Sequence, residues 1–576
     1  MKNKLLLYVH FNRNNELSEH VIYQIQKLRQ NFEEIFFISN SKIDHKDLTQ
    51  LTAPKLIDGF MQRENAGYDF AAWSDAMKQY GFDKLANYES VTIMNDTCFG
   101  PVYDFTTPFE RMDSDNQIDF WGITNNRSHK VKPWEDKDAI VLPDHIQSYF
   151  VSYKQNVVKS VAFEKFWSNI EVLNDVVEVI IKYETAMTKY FENAGFKSAV
   201  LFDTRKEDWT GMVVHDFSVF NLPELLKREI AFLKIKAFSY GAEYPTTPLV
   251  VEQIKADAHY PVSLIIDHMS LSDYPNREYM LLEKILSFTD KSISKTKLSI
   301  GIHLHVTSLK LAADYLDYFD KYVQSYDLYI TTDSEAKKKL IEENYPLKQI
   351  KSVIVTGKGA TSSWLDIYSS LQAYDLCGHF TAEQSETSNW LIENSYQRDV
   401  KYALLKPAQA IFREFEKNSK LGLIMTDSLT FYRNFDSYND ELTIQERWEK
   451  MIQLGHSINV PMGNDLGLPS SDIRRYGTMV WYRPQALENL VEIDTKEESN
   501  LRTIEQIILY ISWSNGFDFR ISRNPNNNKI IVNEESKGLN QQNNQVDFDQ
   551  IRLRKLVKEL LHKMKTILFY RFKLKK

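Results

Sequence analysis

Cysteine is almost missing from this chain. Cys98 and Cys377 are the only two in 576 residues, far apart and outside any Cys-x-x-Cys pair. A disulfide framework and a cysteine-built zinc cluster are excluded, and a reducing compartment is expected. No stretch approaches the roughly 18 consecutive apolar residues that a membrane-spanning helix needs. The apolar run from Leu5 is short, contains His10 and meets Asn12–Asn15 without a small-residue cleavage site. It reads as a buried strand, not a secretion signal, and a cytoplasmic protein is expected. A large excess of one charge is lacking too. With 70 basic and 78 acidic residues the net charge is −8, which argues against nucleic-acid binding by a global field. What is present is a globular composition, 43% apolar and 26% charged, on a chain long enough for two large domains. Tyrosine, phenylalanine and tryptophan number 31, 33 and 10, supplying ring faces for cores and for stacking on sugars or bases.

The first half alternates strand and helix. Strands are expected at Leu5–Phe11, Glu34–Ser39, Ser90–Met94 and Gln117–Thr124, with helices at Glu19–Asn31 and Ala71–Tyr80. This rhythm predicts a mainly parallel sheet, with ligands at the carboxyl ends of its strands. The second half restarts the plan. Strands are expected at Leu298–Val306, Tyr326–Thr331, Ile350–Thr356 and Asp375–Phe380, and helices at Ala312–Tyr322 and Trp364–Ala373. Two α/β units in tandem follow, over 1–240 and 298–522, joined by a connector over 241–297 in which Tyr260–Ile265 finishes the first unit.

A polar linker over 523–548 leads to a basic tail. Residues Ile551–Lys576 hold ten Lys or Arg and one acid, Glu559, a net +9 against −17 for the rest. Leu553, Leu556, Val557, Leu560, Leu561, Met564, Ile567 and Leu568 share a helical stripe. Over 549–576 this predicts a basic amphipathic helix suited to an anionic membrane surface, or one docked on the protein with solvated lysines.

Two clusters in the first unit carry chemistry. Arg63–Trp73 places Asn65, Gly67 and Asp69 where a loop enters a helix, whose N-terminus favours anions. Met94–Pro101 puts Asp96 at the tip of a buried strand, between Asn95 and Thr97. A carboxylate there suits a hard divalent ion held against a diphosphate, with Asn95 or Thr97 positioning a sugar or ribose. Read blandly, Asp69 caps a helix, Gly67 makes a turn and Asn95-Asp96 is another. Transfer to a hydroxyl also needs a general base. Glu184 and Asp144 are candidates, each with a plainer role as a surface charge or a helix cap, and His215 is a candidate diphosphate contact or late metal ligand.

Arg63–Trp73, Asn95–Val102, Asp119–Thr124, His145–Phe150 and Phe166-Trp167 resemble the first unit of the rhamnan synthesis protein F family, and Ile302–His305 and Gly477–Pro484 its second. The resemblance implies two GT-A-like (Rossmann-like) units and a rhamnosyltransferase of cell-wall polysaccharide assembly. It implies an inverting transfer of L-rhamnose from dTDP-L-rhamnose to a lipid-linked saccharide at the inner membrane face. By position, Asn65, Gly67 and Asp69 match the donor loop and Asp96 the acidic strand end. The usual Asp-x-Asp is replaced by Asn95-Asp96-Thr97, so courses with and without Mg or Mn both stay open. In the second unit Gly357-Lys358-Gly359-Ala360 and His379–Ser385 lack the acid and most bases of the related pattern. That implies a catalytically weakened unit that holds acceptor glycan or stabilises the first. His303 and His305 alternate on one strand and so face one side of a sheet, as structural or saccharide-contacting groups. The other reading of the whole is a non-catalytic glycan-binding or scaffold component of a wall-polymer complex.

Overall fold

A computed structural model describes all residues except 1–2, 134–137, 211, 213–215, 241–245, 287, 289–295, 346–348, 384–396, 427–443, 463–478, 494–497 and 524–576. The basic tail and the polar linker expected before it lie outside the described residues, apart from Arg523. The chain divides into two compact units, Met1–Glu283 and Lys284–Lys576.

The first unit is built on a mixed, mostly parallel sheet. Its strands are β1 (Lys4–His10), β2 (Glu34–Ser39), β3 (Gly59–Gln62), β4 (Ser90–Asn95), β5 (Phe120–Asn126), β6 (Phe150–Lys154) and β7 (Ser198–Phe202). Their order is β7-β5-β6-β4-β1-β2-β3. Of these seven, only β6 runs antiparallel to its neighbours, β4 and β5, and a two-residue strand, His145–Ile146, adds an antiparallel pairing to β5. All seven residues of β1 are buried, as expected of a central strand covered on both faces. Side chains alternate across it. Leu6 and Tyr8 join the core under helix Glu19–Leu28, while Leu5, Leu7 and Val9 join a second core with Trp73 of helix Tyr68–Tyr80.

The second unit contains β8 (Ile300–Val306), β9 (Asp327–Thr332), β10 (Ile350–Val355), β11 (Leu376–Ala382), β12 (Leu421–Thr426), β13 (Val480–Tyr482) and β14 (Asp518–Ser522). Their order is β14-β12-β13-β11-β8-β9-β10, with a two-residue strand, Ile285–Leu286, beside β14. Strand for strand this is the first sheet's order, again with one antiparallel member, β13, in the place of β6.

Three details depart from expectation. Residues 246–283 form no separate connector: Val250 and Ile254 of helix Thr246–Asp257, and Ile265, Ile266 and Met269 of helix Val262–Ser272, lie in the first unit's core. Tyr260–Ile265 therefore leads into a helix, because Pro261 starts one and the apolar positions recur at helical spacing. Strands β3, β6, β7, β12, β13 and β14 have no counterpart among the expected elements. They are three to six residues long, too short for periodicity to separate them from loops.

In the second unit Trp481 of β13 is fully buried and its indole N–H donates to the Leu404 carbonyl at 2.8 Å. Trp481→Ala should cost about 3–5 kcal/mol of stability. Trp481→Phe should cost about 1–3 kcal/mol, through the carbonyl left unpaired. Urea denaturation checks both, and equal losses would contradict the assigned bond.

Candidate functional site

Strands β1, β2 and β4 end side by side at one edge of the first sheet. His10 lies opposite Ser39, and Val9 opposite Asn95. Asp96 follows directly, and its Oδ2 accepts the Phe11 N–H at 2.9 Å. Burial drives the Asp96 carboxyl upward, with Asp69 adding to the rise against the Phe11 bond, to about 8. Among the described residues no lysine or arginine forms an ion pair with it. His10 Nε2 lies 4.0 Å from Asp96 Oδ2. Burial lowers the His10 pKa to about 4, so the ring is neutral. The Ser39 hydroxyl donates to the Ser41 carbonyl at 2.9 Å and therefore accepts from His10 Nδ1–H at 3.1 Å. The Nε2 lone pair is left facing Asp96, with no hydrogen-bond partner of its own.

The loop before helix Tyr68–Tyr80 closes on this point. Arg63 donates to Asp75 at 3.0 Å, to Asn40 at 2.9 Å and to the Ala66 carbonyl at 2.8 Å. Asn65 accepts from Asn40 at 3.1 Å. Gly67 is the N-cap with φ 74°, and a Cβ there would come within 2.6 Å of Ala71 Cβ and 3.2 Å of Val172 Cα. The close approach that this glycine permits is thus to the chain's own backbone and side chains. Asp69 does not cap its helix. Its Oδ2 accepts from Asn95 Nδ2 at 2.7 Å, and Asn95 Oδ1 accepts from the Thr97 hydroxyl at 2.6 Å. Burial raises the Asp69 pKa to about 6; Asn95 opposes that rise and Glu184 adds to it.

Glu184 sits in a π-helical turn, Ile180–Glu184, a distortion that often marks function. Its Oε1 accepts from the Ser148 N–H at 3.0 Å and the Ser148 hydroxyl at 2.9 Å. Ser148 leads into β6, so Glu184 is tied to the same sheet edge and lies within electrostatic reach of Asp69. The structure thus gathers Asn95, Asp96, Thr97, Asp69 and Glu184, with Asn65 and Gly67 in the adjoining loop. It does not bring Asp144 into that group: Asp144 accepts from the Ser128 N–H at 2.5 Å and from Arg205 at 3.3 Å. His215 lies outside the described residues.

Three side chains were not among the sequence candidates. His10 and Ser39 were hidden inside apolar strands. Lys234 belongs to no motif; its Nζ donates to Asp216 at 2.8 Å. Burial works against the Lys234 ammonium, but Asp216 and Glu184 more than offset it, and its pKa is raised. No group of three or more His, Cys, Asp or Glu among the described residues is placed to hold a metal by protein ligands alone.

A family model described as rhamnan synthesis protein F matches residues 35–517. This chain belongs to the rhamnan synthesis protein F family. Two curated relatives are more distant. An uncharacterized protein, y4gN, of Sinorhizobium fredii is 25% identical over 186 residues, 32% of this chain and 45% of that protein. The virulence protein VirA of Vibrio anguillarum is 25% identical over 169 residues, 28% of this chain and 49% of that one. The chain therefore spans about half the length of the curated relatives it matches. Among solved structures, the apo form of the glycosyltransferase GlyE of Streptococcus pneumoniae aligns over 67% of this family member and 87% of its own chain, at 10% identity and a TM-score of 0.23. A 4-diphosphocytidyl-2C-methyl-D-erythritol synthase of Anaerococcus prevotii aligns over 40% and 95%, at 9% identity and a TM-score of 0.23. Likeness at those scores assigns no activity. No helix among the described residues is long and apolar enough to cross a membrane.

The Asp96 carboxyl gives this family member a signature in stability. A carboxyl raised on folding contributes stability that is fully present below its unfolded pKa, near 4, and lost as pH rises through its folded value, about 8. Asp96→Asn keeps the acceptor for Phe11 and removes the ionisable proton. Its melting temperature should exceed that of the unsubstituted protein by a margin that grows from pH 5 to pH 8. A margin that stays flat or shrinks over that range would contradict the assigned environment.

Proposed function

We propose that this protein is a rhamnosyltransferase that moves L-rhamnose from dTDP-L-rhamnose to a lipid-linked saccharide, by an inverting route, in wall-polysaccharide synthesis. Membership in the rhamnan synthesis protein F family supports a glycosyltransferase acting in polysaccharide synthesis. The observation that carries the site assignment is the Asp96 carboxyl, set at the carboxyl edge of a parallel-rich sheet with no lysine or arginine paired to it among the described residues. Open α/β sheets take their ligands at that edge. The strand order supports a GT-A-like first unit.

In this reading the diphosphate of the donor lies against Asp96 and Thr97, and Asn95 holds Asp69 behind them. A carboxyl pushed up for want of positive charge fits a divalent cation. Mg or Mn is commonly held by one or two carboxylates together with substrate phosphates, and Asp96 is the residue that would hold it. Such an ion would neutralise charge on the departing diphosphate. Glu184, fixed by two hydrogen bonds from Ser148, is the better general base: it takes the proton of the acceptor hydroxyl as that oxygen attacks the anomeric carbon. Asp144 is already engaged by Arg205 and Ser128. Lys234 holds positive charge at the same edge. The basic segment 549–576 completes the proposal by bringing the protein to an anionic membrane surface, where a lipid-linked acceptor would be met.

Transfer of radiolabelled rhamnose to a lipid-linked acceptor tests this. Asp96→Ala should lower turnover by about 10²-fold or more, and Glu184→Gln by about 10²-fold. Asp144→Asn should stay within a few fold of the unsubstituted protein. Full activity in Asp96→Ala would remove that residue from the mechanism. No transfer under any metal, with saccharide still bound, would leave a glycan-binding component.

A further inference from the structure

Segment 231–235 is bound to the turn that carries Asp96 and Thr97. Strand Leu233–Lys234 pairs antiparallel with Cys98–Phe99, and Lys234 lies opposite Cys98. The Ile235 N–H donates to the Thr97 carbonyl at 2.9 Å, and the Val102 N–H to the Ala231 carbonyl at 2.7 Å. Gly100 permits this approach, since a Cβ there would collide with the Ala231 carbonyl. The backbone of Lys234 is thereby fixed beside the Asp96 turn.

Its side chain is seated as well. The Lys234 ammonium lies 5.5 Å from the centre of the Tyr149 ring and donates to Asp216 Oδ2 at 2.8 Å. Asp216 Oδ1 accepts the Ser218 N–H at 3.1 Å, at the start of helix Phe217–Phe220, so this acid is held from two sides. The ion pair is mostly buried, with 16% of the lysine side chain and 18% of the aspartate exposed. An ammonium has three N–H donors. Asp216 takes one, and no other acceptor among the described residues takes a second.

Glu184 has the matching vacancy. Its Oε1 is occupied twice, by the Ser148 N–H and by the Ser148 hydroxyl. Its Oε2 receives no donor from the described residues. Ser148 and Tyr149, which seat the acid and the ammonium, are consecutive residues at the entry to β6. Glu184 and Lys234 are close enough to act on each other by charge, yet no hydrogen bond or ion pair joins them. With Asp216 they make a set of two carboxylates and one ammonium. A further anion there would meet net repulsion, and a further cation would meet the ammonium. The set is suited to a neutral group that accepts on one side and donates on the other, and a hydroxyl does both through one oxygen.

We propose that Lys234 and Glu184 together hold the attacking hydroxyl of the acceptor saccharide, with Lys234 donating to its oxygen and Glu184 Oε2 accepting its proton. The choice of a saccharide rests on the transferase reading above. In the reaction the hydroxyl oxygen forms the bond to the anomeric carbon and its proton passes to Glu184. The bond from that carbon to the diphosphate breaks, and its electron pair leaves on the diphosphate. Lys234 keeps its protons throughout and steadies the negative charge that develops on the attacking oxygen. It is a catalytic residue on the acceptor side of the site, as Asp96 is on the donor side.

Calorimetric titration of the full chain, with a rhamnose oligosaccharide and with dTDP as separate probes, tests this. Lys234→Met should weaken oligosaccharide binding about tenfold or more and leave dTDP binding little changed. In transfer assays the same variant should show a raised acceptor KM and a lowered kcat, with the donor KM unmoved. If Lys234→Met shows no melting transition, Lys234→Met combined with Asp216→Asn takes its place, because the double change strands no buried charge. Undiminished oligosaccharide binding in the variant would overturn the proposal, as would no oligosaccharide binding by the unsubstituted chain. A loss of dTDP binding with oligosaccharide binding intact would also overturn it, and would assign the ammonium to the donor diphosphate. The two readings fail separately. Oligosaccharide binding that depends on Lys234, in a chain that transfers no rhamnose, would refute the transferase reading and leave the hydroxyl-binding pair standing. Normal rhamnose transfer by Lys234→Met would refute the pair and leave the transferase reading standing.

Discussion

Charge without a countercharge organises the first unit. Asp96 and Asp69 are carboxyls at the end of a buried sheet, and burial raises both. The surrounding groups manage that cost in different ways. Asn95 gives Asp69 a short hydrogen bond, Phe11 gives Asp96 a backbone donor, and His10 is kept neutral with its lone pair turned toward the acid. The Arg63 clamp holds the loop that carries Asn65 and Gly67 against the same edge. None of this fully compensates Asp96, and that deficit is what makes the edge a place for a ligand that brings positive charge or hydrogen-bond donors with it.

The second unit repeats the scaffold and spends its polar residues elsewhere. Both sheets have one antiparallel strand in the same position, and both place a tryptophan, Trp73 or Trp364, on the helix that follows the third strand. Beneath Trp73 the layer is aliphatic. Beneath Trp364 it is a hydrogen-bonded series of histidines and a threonine. One architecture therefore carries an under-compensated acid in one unit and a buried series of histidines and a threonine in the other.

The sequence made the long elements legible because their signals are local. Glu34–Ser39 is recovered residue for residue, and Lys4–His10 differs by one residue at each end from the strand expected over Leu5–Phe11. Motif reading also singled out Asn95 and Asp96, polar residues that end an apolar strand, and Asp69, where a loop enters a helix. The same reading overlooked His10, Ser39 and Lys234, which have no local mark and matter only through neighbours on other elements, such as Ser39 for His10, 29 residues away, and Glu184 for Lys234. It could not tell that Gly67 is needed by Ala71 and Val172, or that Asp144 is held by Arg205. Nor could it see that His303 and His379, 76 positions apart, are neighbours on adjacent strands. Those facts are properties of register, and register is set by pairing across the sheet.

Amide hydrogen exchange with and without dTDP-L-rhamnose bears most directly on the central claim, because it reports which backbone segments a ligand orders. The account predicts slowed exchange at Phe11, at Asp96 and Thr97, and in the loop from Glu64 to Tyr68, with the effect lost in Asp96→Asn. Protection confined to other parts of the chain, or unchanged by that substitution, would contradict it.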